Sequence, residues 1–396
     1  MPGALTPPLQ ARLARLGASL AFGEAAAVFA RFTGVVVSAA SARRLTEATG
    51  RAAAAAAAAV AAGLLGPAVP APVGSGPPLL QVSVDGCLVP TIGGWREVKL
   101  LAIGTVAAGP DGTARATALS YFGRLADADR FADLAVGETH RRGVATAGAV
   151  IGVVDGADWC QGFLDRHRPD AVRVLDFAHA AQRLGPVAEA VWGDGEAARA
   201  WAASQRHRLR HEAPERVLGA LRQVPVRRAA NPTAARVARD EALGYLEPRL
   251  EQLRYAAFAA RGWPIGSGAV ESGHRHVAQA RLKGAGRRWA VANVDALLEL
   301  RTALASGRWD DTWEHAATER QAATRRTATA RRQARRPAPA APPPRVPAPI
   351  GPQPRAASAI PAVPRPGPKT ILHGRPTAAH PWKRPFHPHQ PETAKL

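Results

Sequence analysis

Apolar residues change their spacing along the chain, and the change separates helical from mixed regions. Within residues 1–66 they recur every three or four positions, as in LQARLARLGASL, which is the spacing of an amphipathic helix. The Thr33-Gly34 pair marks a turn, and Ser38 can cap the helix that follows it. We therefore predict an all-helical region over residues 1–66 and a linker rich in Pro and Gly over residues 67–79.

Residues 80–184 follow a different pattern, in which strands and helices mix. The alternation and the apolar runs predict strands at Leu80–Val89, Glu97–Val106, Ala116–Leu125, Ala149–Val154 and Val172–Leu175, with helices at Asp127–Arg142 and Asp158–His167. Three antiparallel strands followed by parallel strands with helical crossovers is the order of the ribonuclease H-like fold. The predicted fold class is therefore α/β, with the first and fourth strands as neighbours.

The remainder of the chain is predicted to be helical and then disordered. Residues 185–262 are a predicted α-helical insertion, in which Trp192 and Trp201 are predicted core residues. Residues 263–315 contain further helices of the same core. Residues 316–396 are rich in Arg, Pro and Ala with little apolar periodicity, and are predicted to be a disordered tail.

Charge and composition restrict the possible partners. The net charge is +21, and residues 316–396 alone carry 15 Arg or Lys against 2 Glu. Such an excess points to a polyanion, with nucleic acid first. Two cysteines without a Cys-x-x-Cys pair favour a reduced, cytoplasmic setting. The first residues lack the pattern of a signal peptide, and the alanine-rich run near residue 60 is too weakly apolar to span a membrane.

Three acidic residues fall at corresponding points of this topology. Asp85 lies inside the first strand, Asp155 ends the fourth, and Glu271 lies in the first turn of a helix predicted over residues 269–282. Converging carboxylates suit Mg²⁺, which prefers oxygen ligands and can activate a nucleophile for phosphodiester cleavage. Each residue also has a simpler interpretation, since an Asp-Gly pair is often a turn and a glutamate often complements a helix dipole.

A second acid, Asp176, competes with Asp155 because it also ends a buried strand. We prefer Asp155, which follows the strand after the first crossover helix. His179 lies three residues beyond Asp176 and could contact a phosphate or support a carboxylate ligand. A purely structural histidine is equally compatible with the sequence.

Basic residues follow Glu271 closely, and a second basic group lies near the amino terminus. The residues that we assign to DNA contact are Arg43, Arg44, His274, Arg275, Arg281, Lys283, Arg287, Arg288 and Trp289. Arg43 and Arg44 lie on a capped helix that follows a short turn, an arrangement typical of a helix-turn-helix reader. A small helical bundle for packing or dimerisation explains the same pattern.

Three stretches together resemble the DDE transposases of bacterial insertion sequences. They are VDGCLVPTIGGWREVKLLAIGTV, VVDGADWCQGFLDRHRPDAVRVLDFAHA and PIGSGAVESGHRHVAQARLKGAGRRWAVANVDALLELR, in colinear order. The chain is most similar to the ISKra-type group, which is akin to the Mutator-like superfamily. The resemblance implies Mg²⁺-dependent DNA cleavage and strand transfer, with Mn²⁺ able to substitute, and assigns Asp85, Asp155 and Glu271 as the catalytic, metal-binding acids. Asp176 and His179 match an Asp-x-x-His signature of the superfamily.

The expected function is therefore transposition, with DNA as partner and a homodimer or larger assembly on it. A transposase relic that only binds DNA is the main alternative. A nuclease of the same fold, which would cut but never join, is a third possibility.

Overall fold

The computed structural model describes residues 5–66, 76–110 and 112–334, together with two short strands nearer the carboxyl end. The chain divides into two compact units, Met1–Arg336 and Pro337–Leu396. In the second unit, Ile371–Leu372 pairs antiparallel with Arg375–Pro376.

A five-stranded mixed sheet is the centre of the first unit. Its strands are β1 (Leu79–Thr91), β2 (Gly94–Ala108), β3 (Ala114–Arg124), β4 (Ala149–Val154) and β5 (Val172–Leu175). Their order is β3-β2-β1-β4-β5, with β1 to β3 antiparallel and with β4 and β5 parallel to β1. The α/β class and the predicted adjacency of the first and fourth strands are confirmed.

The pairing of β1 creates a fork in the sheet. β1 pairs with β2 from Leu80 to Thr91, through a hairpin that turns at Ile92 and Gly93. It pairs with β4 only as far as Val82 and Gly152. Beyond this point β1 continues while the chain after β4 turns away, so Asp85 lies where two parallel strands separate. Open α/β sheets place ligands at the carboxyl ends of strands, and Asp85 lies beside the carboxyl end of β4.

Helices cover both faces of the sheet. The helices of the first unit are α1 (Pro7–Ser19), α2 (Phe22–Thr33), α3 (Ala39–Leu64), α4 (Ala128–Arg141), α5 (Asp158–His167), α6 (Phe177–Gln182), α7 (Leu184–Trp192), α8 (Glu196–His211), α9 (Pro214–Gln223), α10 (Pro232–Leu246), α11 (Tyr255–Ala260), α12 (Gly268–Gly273), α13 (Ala280–Leu282), α14 (Val291–Ala305) and α15 (Trp309–Ala334). Short 3₁₀ helices occupy Val226–Arg228 and Glu247–Leu253, and a π-helical segment, His274–Gln279, joins α12 to α13.

One face carries a single apolar core and the opposite face carries two. Val82 and Val84 of β1 point into a core formed with α4 and α5. On the other face, one core joins β4 and β5 to α6–α11, and another joins β2 and β3 to α12–α14. Trp192 and Trp201, which were predicted to be core residues, are partly buried and pack against the core of β4 and β5, with their rings 5.2 Å apart.

The amino-terminal helices form a bundle that packs on the remainder of the unit. Gly34 follows the last residue of α2 with a φ of 71°, which favours glycine, and Ser38 caps α3 by accepting a hydrogen bond from the Ser41 N–H. α3 continues through the alanine run as one 26-residue helix. A side chain at Gly50 would collide with the backbone of Ala296, so α3 and α14 approach closely. Residues 67–75 of the predicted linker lie outside the described residues.

The disorder predicted from residue 316 onward is wrong for residues 316–334. These residues belong to α15, which begins at Trp309 and buries Thr312 and Ala316. The segment is rich in Ala, Arg and Gln, and it contains no proline before Pro337, so helix propensity and contact with α3 outweigh its low hydrophobicity. The predicted tail also contains the two short strands at 371–372 and 375–376. In the described ranges no helix is both long and apolar enough to cross a membrane.

Candidate active site

A row of polar side chains on β1 leads to the candidate site. Gln81, Ser83 and Asp85 alternate with Val82 and Val84 and therefore point to the opposite face of the sheet. Gln81 and Ser83 are fully buried, between the two cores of that face. The Gln81 amide donates hydrogen bonds to Ser83 Oγ at 3.0 Å and to the Gly266 carbonyl at 3.1 Å. The row thus ties β1 to the turn that precedes α12.

Asp155 lies directly after β4 and keeps part of its carboxylate free. Its Oδ1 accepts the Ala157 N–H at 3.0 Å and a weak bond from the Cys160 thiol at 3.4 Å. Burial, reinforced by Asp155, raises the pKa of Cys160, so the thiol stays protonated and donates. Asp155 Oδ2 accepts no hydrogen bond from the residues that the structure describes. The side chain is only partly buried, and one oxygen therefore remains available.

The helical insertion holds the loop that carries Asp155. The Tyr245 hydroxyl donates to the Asp155 carbonyl oxygen, and Arg249 Nη2 donates to the Gly156 carbonyl at 2.8 Å. Arg183 and Arg249 lie over the Tyr245 ring, 4.0 and 4.7 Å from its centre. Because these contacts use only backbone oxygens of the loop, they fix its path and leave the Asp155 carboxylate free.

Asp176 has the opposite environment, since every one of its contacts is structural. It caps α6, with Oδ1 accepting both the backbone N–H of His179 and the Nδ1 of its ring. Its Oδ2 accepts the Ser267 N–H at 2.6 Å. Burial alone would raise the pKa of Asp176, but the hydrogen bonds from His179 and Ser267 outweigh it and lower the pKa to about 2. Asp176 therefore anchors the turn before α12 to the end of β5, and this supports Asp155 as the second acid.

His179 is partly exposed, and its ring is fixed by Asp176. The hydrogen bond from Nδ1 to Asp176, at 3.0 Å, raises the pKa of His179 against the opposing effect of burial. Asp155 and Asp85 add smaller effects in the same direction, which places His179 on the side of the candidate acids.

Glu271 lies in the helix predicted from the sequence, which the structure extends over residues 268–282 with its π-helical segment in the middle. Ser267 is the N-cap, although its side chain makes no bond to the helix backbone. Its hydroxyl instead donates to Glu271 Oε1, at 3.4 Å. The Glu271 side chain is exposed. π-Helical insertions occur frequently at functional sites, because they redirect side chains within a helix.

His274 connects this helix directly to β1. Its Nε2 donates to Asp85 Oδ2 at 3.1 Å, and Asp85 Oδ1 accepts the N–H of Gly86 at 2.7 Å. Burial would lower the pKa of His274, but the hydrogen bond to Asp85 and the proximity of Cys87 outweigh it and raise the pKa to about 9. His274 is thus a charged partner that orients the Asp85 carboxylate.

The three carboxylates are chemically suitable ligands for a divalent cation, but they are not grouped into a complete binding site. Asp85, Asp155 and Glu271 supply the oxygen donors that Mg²⁺ prefers, and Asp155 and Glu271 each retain an oxygen without a hydrogen bond from the described residues. Across the described ranges, however, no three His, Cys, Asp or Glu side chains are grouped so that they could hold a metal ion. The three acids are therefore suitable ligands for the ion by their chemistry. In this structure they are not close enough together to bind one ion jointly.

The structure places the predicted DNA contacts in two groups. Arg43, Arg44, Arg275 and Arg288 are exposed, and Lys283 and Arg287 are partly exposed. His274, Arg281 and Trp289 are buried, so the structure does not present them as exposed DNA contacts. The His274 ring is hydrogen-bonded to the Asp85 carboxylate. Arg281 and Trp289 both pack against Phe22 of α2. The amino-terminal bundle therefore covers this side of α13 and of the segment that follows it.

Four residues of the site were not predicted. They are Gln81, Ser83, Tyr245 and Arg249. The first two had a signal in the sequence, since polar residues alternate with valine in LQVSVDG. Tyr245 and Arg249 lie about 90 residues from the loop that they hold, so no local pattern could reveal them. No protein-family model matches the sequence, and no curated protein is detectably similar to it.

Proposed function

We propose that the protein is a DDE transposase with a ribonuclease H-like core, which cleaves DNA and joins the cut end to a second DNA site. The observation that supports this most directly is the fork between β1 and β4. Asp85 lies on β1 and Asp155 lies directly after β4. Hydrogen bonds of Gln81, His274 and Asp176 connect the helix that carries Glu271, and the turn before it, to β1 and to the end of β5.

The residues of the site have separate tasks in this proposal. Asp85, Asp155 and Glu271 would hold Mg²⁺ or Mn²⁺, which supplies activation of the attacking oxygen and charge stabilisation in phosphoryl transfer. His274 orients the Asp85 carboxylate through the bond to Oδ2. Tyr245 and Arg249 hold the backbone that presents Asp155. His179, with its ring fixed by Asp176 and its pKa raised, offers a positive charge to a phosphate oxygen.

The exposed arginines provide the DNA contacts of the proposal. Arg275 lies on the helix of Glu271, while Arg43 and Arg44 lie on α3, the second helix of the helix-turn-helix-like pair. Since transposition joins two ends of one element, we expect a dimer or a larger assembly on DNA, in the cytoplasm of the host.

The substitution Glu271→Gln tests the catalytic proposal. Labelled DNA fragments from the two flanks of the gene are incubated with protein and Mg²⁺ or Mn²⁺, and nicking and joining are read on denaturing gels. We expect the wild-type protein to cut and join, and the variant to bind the same DNA and do neither. Strand transfer that persists in the variant would refute the assignment of Glu271. Cleavage without joining would identify a nuclease.

One observation favours a second candidate, a DNA-binding protein without cleavage activity. The three acids are not grouped as a chelate, and one of them is already bonded to His274. In the same experiment such a protein retards the fragments on a native gel and nicks none of them with either metal.

A further inference from the structure

A cavity beside the Glu271 helix contains an arginine that lacks a charged partner. The cavity has a volume of about 390 Å³ and lies between α2, α3 and the segment that follows α13. Four arginines from these elements line it, namely Arg43, Arg281, Arg287 and Arg288. Arg281 is the only buried one of the four, with 2% of its surface exposed.

The Arg281 guanidinium is held between two aromatic rings. Its Cζ lies 4.6 Å from the centre of the Phe22 ring and 4.8 Å from that of Trp289. Its Nε donates to the Gly17 carbonyl at 3.1 Å. Its Nη2 is buried and has no hydrogen-bond partner in the part of the chain that the structure describes. The side chain is therefore fixed in place with one strong donor unused.

The surroundings of Arg281 repel a positive charge. Burial, together with smaller effects of the nearby Arg287 and Arg301, lowers the pKa of Arg281 to about 10, and the group remains protonated at neutral pH. Glu47 also lines the cavity, but its ion pair is with Arg51, at 4.0 Å. A buried cation without a compensating anion is costly, and buried charges in proteins are normally paired.

A second buried arginine of the same unit, Arg124, has a carboxylate partner that neutralises its charge. Arg124 is as deeply buried as Arg281, and its Nη2 is paired with the carboxylate of Glu299. The chain therefore supplies a carboxylate where an arginine has only a structural task. At Arg281 the described residues supply none, and three further arginines surround the opening.

We propose that this cavity binds a phosphate group of the DNA backbone, with Arg281 at its base and Arg43, Arg287 and Arg288 around it. The inference rests on the proposed function, which supplies DNA as the partner. A strand held here would bridge α3 and the segment after α13, so that one phosphate joins the amino-terminal bundle to the helix that carries Glu271. Planar guanidinium groups suit phosphate oxygens because they can donate two parallel hydrogen bonds.

The substitution Arg281→Met tests the inference by removing the charge and keeping the volume. Without DNA we expect the variant to fold and to melt at the same temperature as the wild type or higher, since it loses an unpaired buried charge. With a labelled duplex oligonucleotide we expect about tenfold weaker binding by fluorescence anisotropy. The slope of log affinity against log salt should decrease by about one, because one phosphate contact is lost.

A pair of double variants controls for net charge. Arg287→Ala with Arg288→Ala removes two arginines at the cavity, and Arg227→Ala with Arg228→Ala removes two exposed arginines that do not line it. We expect the first pair to weaken DNA binding by a larger factor than the second. Equal weakening by both pairs, or wild-type affinity and salt slope in Arg281→Met, would overturn the inference. The double variants keep the test valid even if Arg281→Met does not fold.

Inorganic phosphate distinguishes a backbone phosphate from a free anion. We expect phosphate to raise the melting temperature of the wild type but not of Arg281→Met, and to compete with the oligonucleotide. Stabilisation without competition would assign the cavity to a free anion and overturn the role in DNA binding. These measurements need no cleavage activity. A failure of the catalytic proposal is therefore distinguishable from a failure of this one.

Discussion

The ends of β4 and β5 are alike in sequence and opposite in chemistry. Each parallel strand is a short apolar run followed at once by an aspartate, Asp155 after β4 and Asp176 after β5. Asp176 is 2% exposed, and its two oxygens accept three hydrogen bonds from His179 and Ser267. Asp155 is partly exposed and retains an oxygen without a partner among the described residues.

The difference shows that position at a strand end does not by itself identify a ligand group. A carboxylate whose oxygens are all satisfied by the protein can stabilise the fold but has no capacity left for a substrate or an ion. A carboxylate with a free oxygen can bind, provided that its backbone is held by other residues. Tyr245 and Arg249 do this for Asp155 through its carbonyl and that of Gly156. Substitutions at the two positions should therefore affect different properties.

The largest expected effect is the loss of activity in Asp155→Asn. In the proposed transposase, removal of one carboxylate from the metal site should lower DNA cleavage on the order of 10³-fold or more. Stability should change by less than about 1 kcal/mol, because the asparagine oxygen can still accept the Ala157 N–H. Cleavage of a labelled fragment and urea denaturation measure the two effects. A variant that cleaves normally would remove Asp155 from the site and return Asp176 to consideration.

The next largest effect should be on stability, in Asp176→Ala. This change leaves the N–H groups of Ser267 and His179 without their charged acceptor, and should cost about 3 kcal/mol of the free energy of unfolding. The measurement is urea denaturation followed by circular dichroism. If the variant is as stable as the wild type, the hydrogen bonds to Asp176 do not hold the turn before α12.

The pH dependence of stability provides an independent check of Asp176. Its pKa in the folded protein is about 2, below the ordinary value of 3.8, so the unfolded chain takes up a proton first as pH falls. The stabilisation is present above about pH 4 and is lost between pH 4 and 2, and it amounts to about 2 kcal/mol. Wild-type stability minus that of Asp176→Ala should shrink over this window. A constant difference would show that the pKa of Asp176 is not lowered.

Local sequence patterns predicted much of this comparison. The bounds of β4, α5 and β5 agree with the structure, since each is a short segment with clear apolar periodicity or flanking breaks. The adjacency of β1 and β4 followed from the order of the strands. The patterns could not rank Asp155 above Asp176 on physical grounds, because the deciding contacts come from Ser267 and Tyr245, both distant in sequence.

Other errors arose where tertiary packing reverses what a local pattern suggests. Arg281 lies in a basic run that was assigned to DNA contact, and the local pattern did not show that α2 covers that side of the helix and buries it. Residues 316–334 have few large apolar side chains, yet their small alanines let α15 approach α3. In both cases the burial or the helical structure depends on packing against a helix more than 200 residues away. A local sequence pattern contains no information on that helix.

The smallest expected effect is that of Ser267→Ala, which separates the backbone of this residue from its side chain. Asp176 is held by the Ser267 N–H, and alanine keeps that donor. The hydroxyl contacts exposed Glu271 at 3.4 Å, near the limit of a hydrogen bond. Stability should therefore change by less than about 0.5 kcal/mol, and cleavage by less than about tenfold. Ser267→Pro is the matched control, because proline removes the N–H and should destabilise the fold about as much as Asp176→Ala does. If Ser267→Ala is as damaging as the proline variant, the side chain of Ser267 rather than its backbone connects Asp176 to the helix of Glu271.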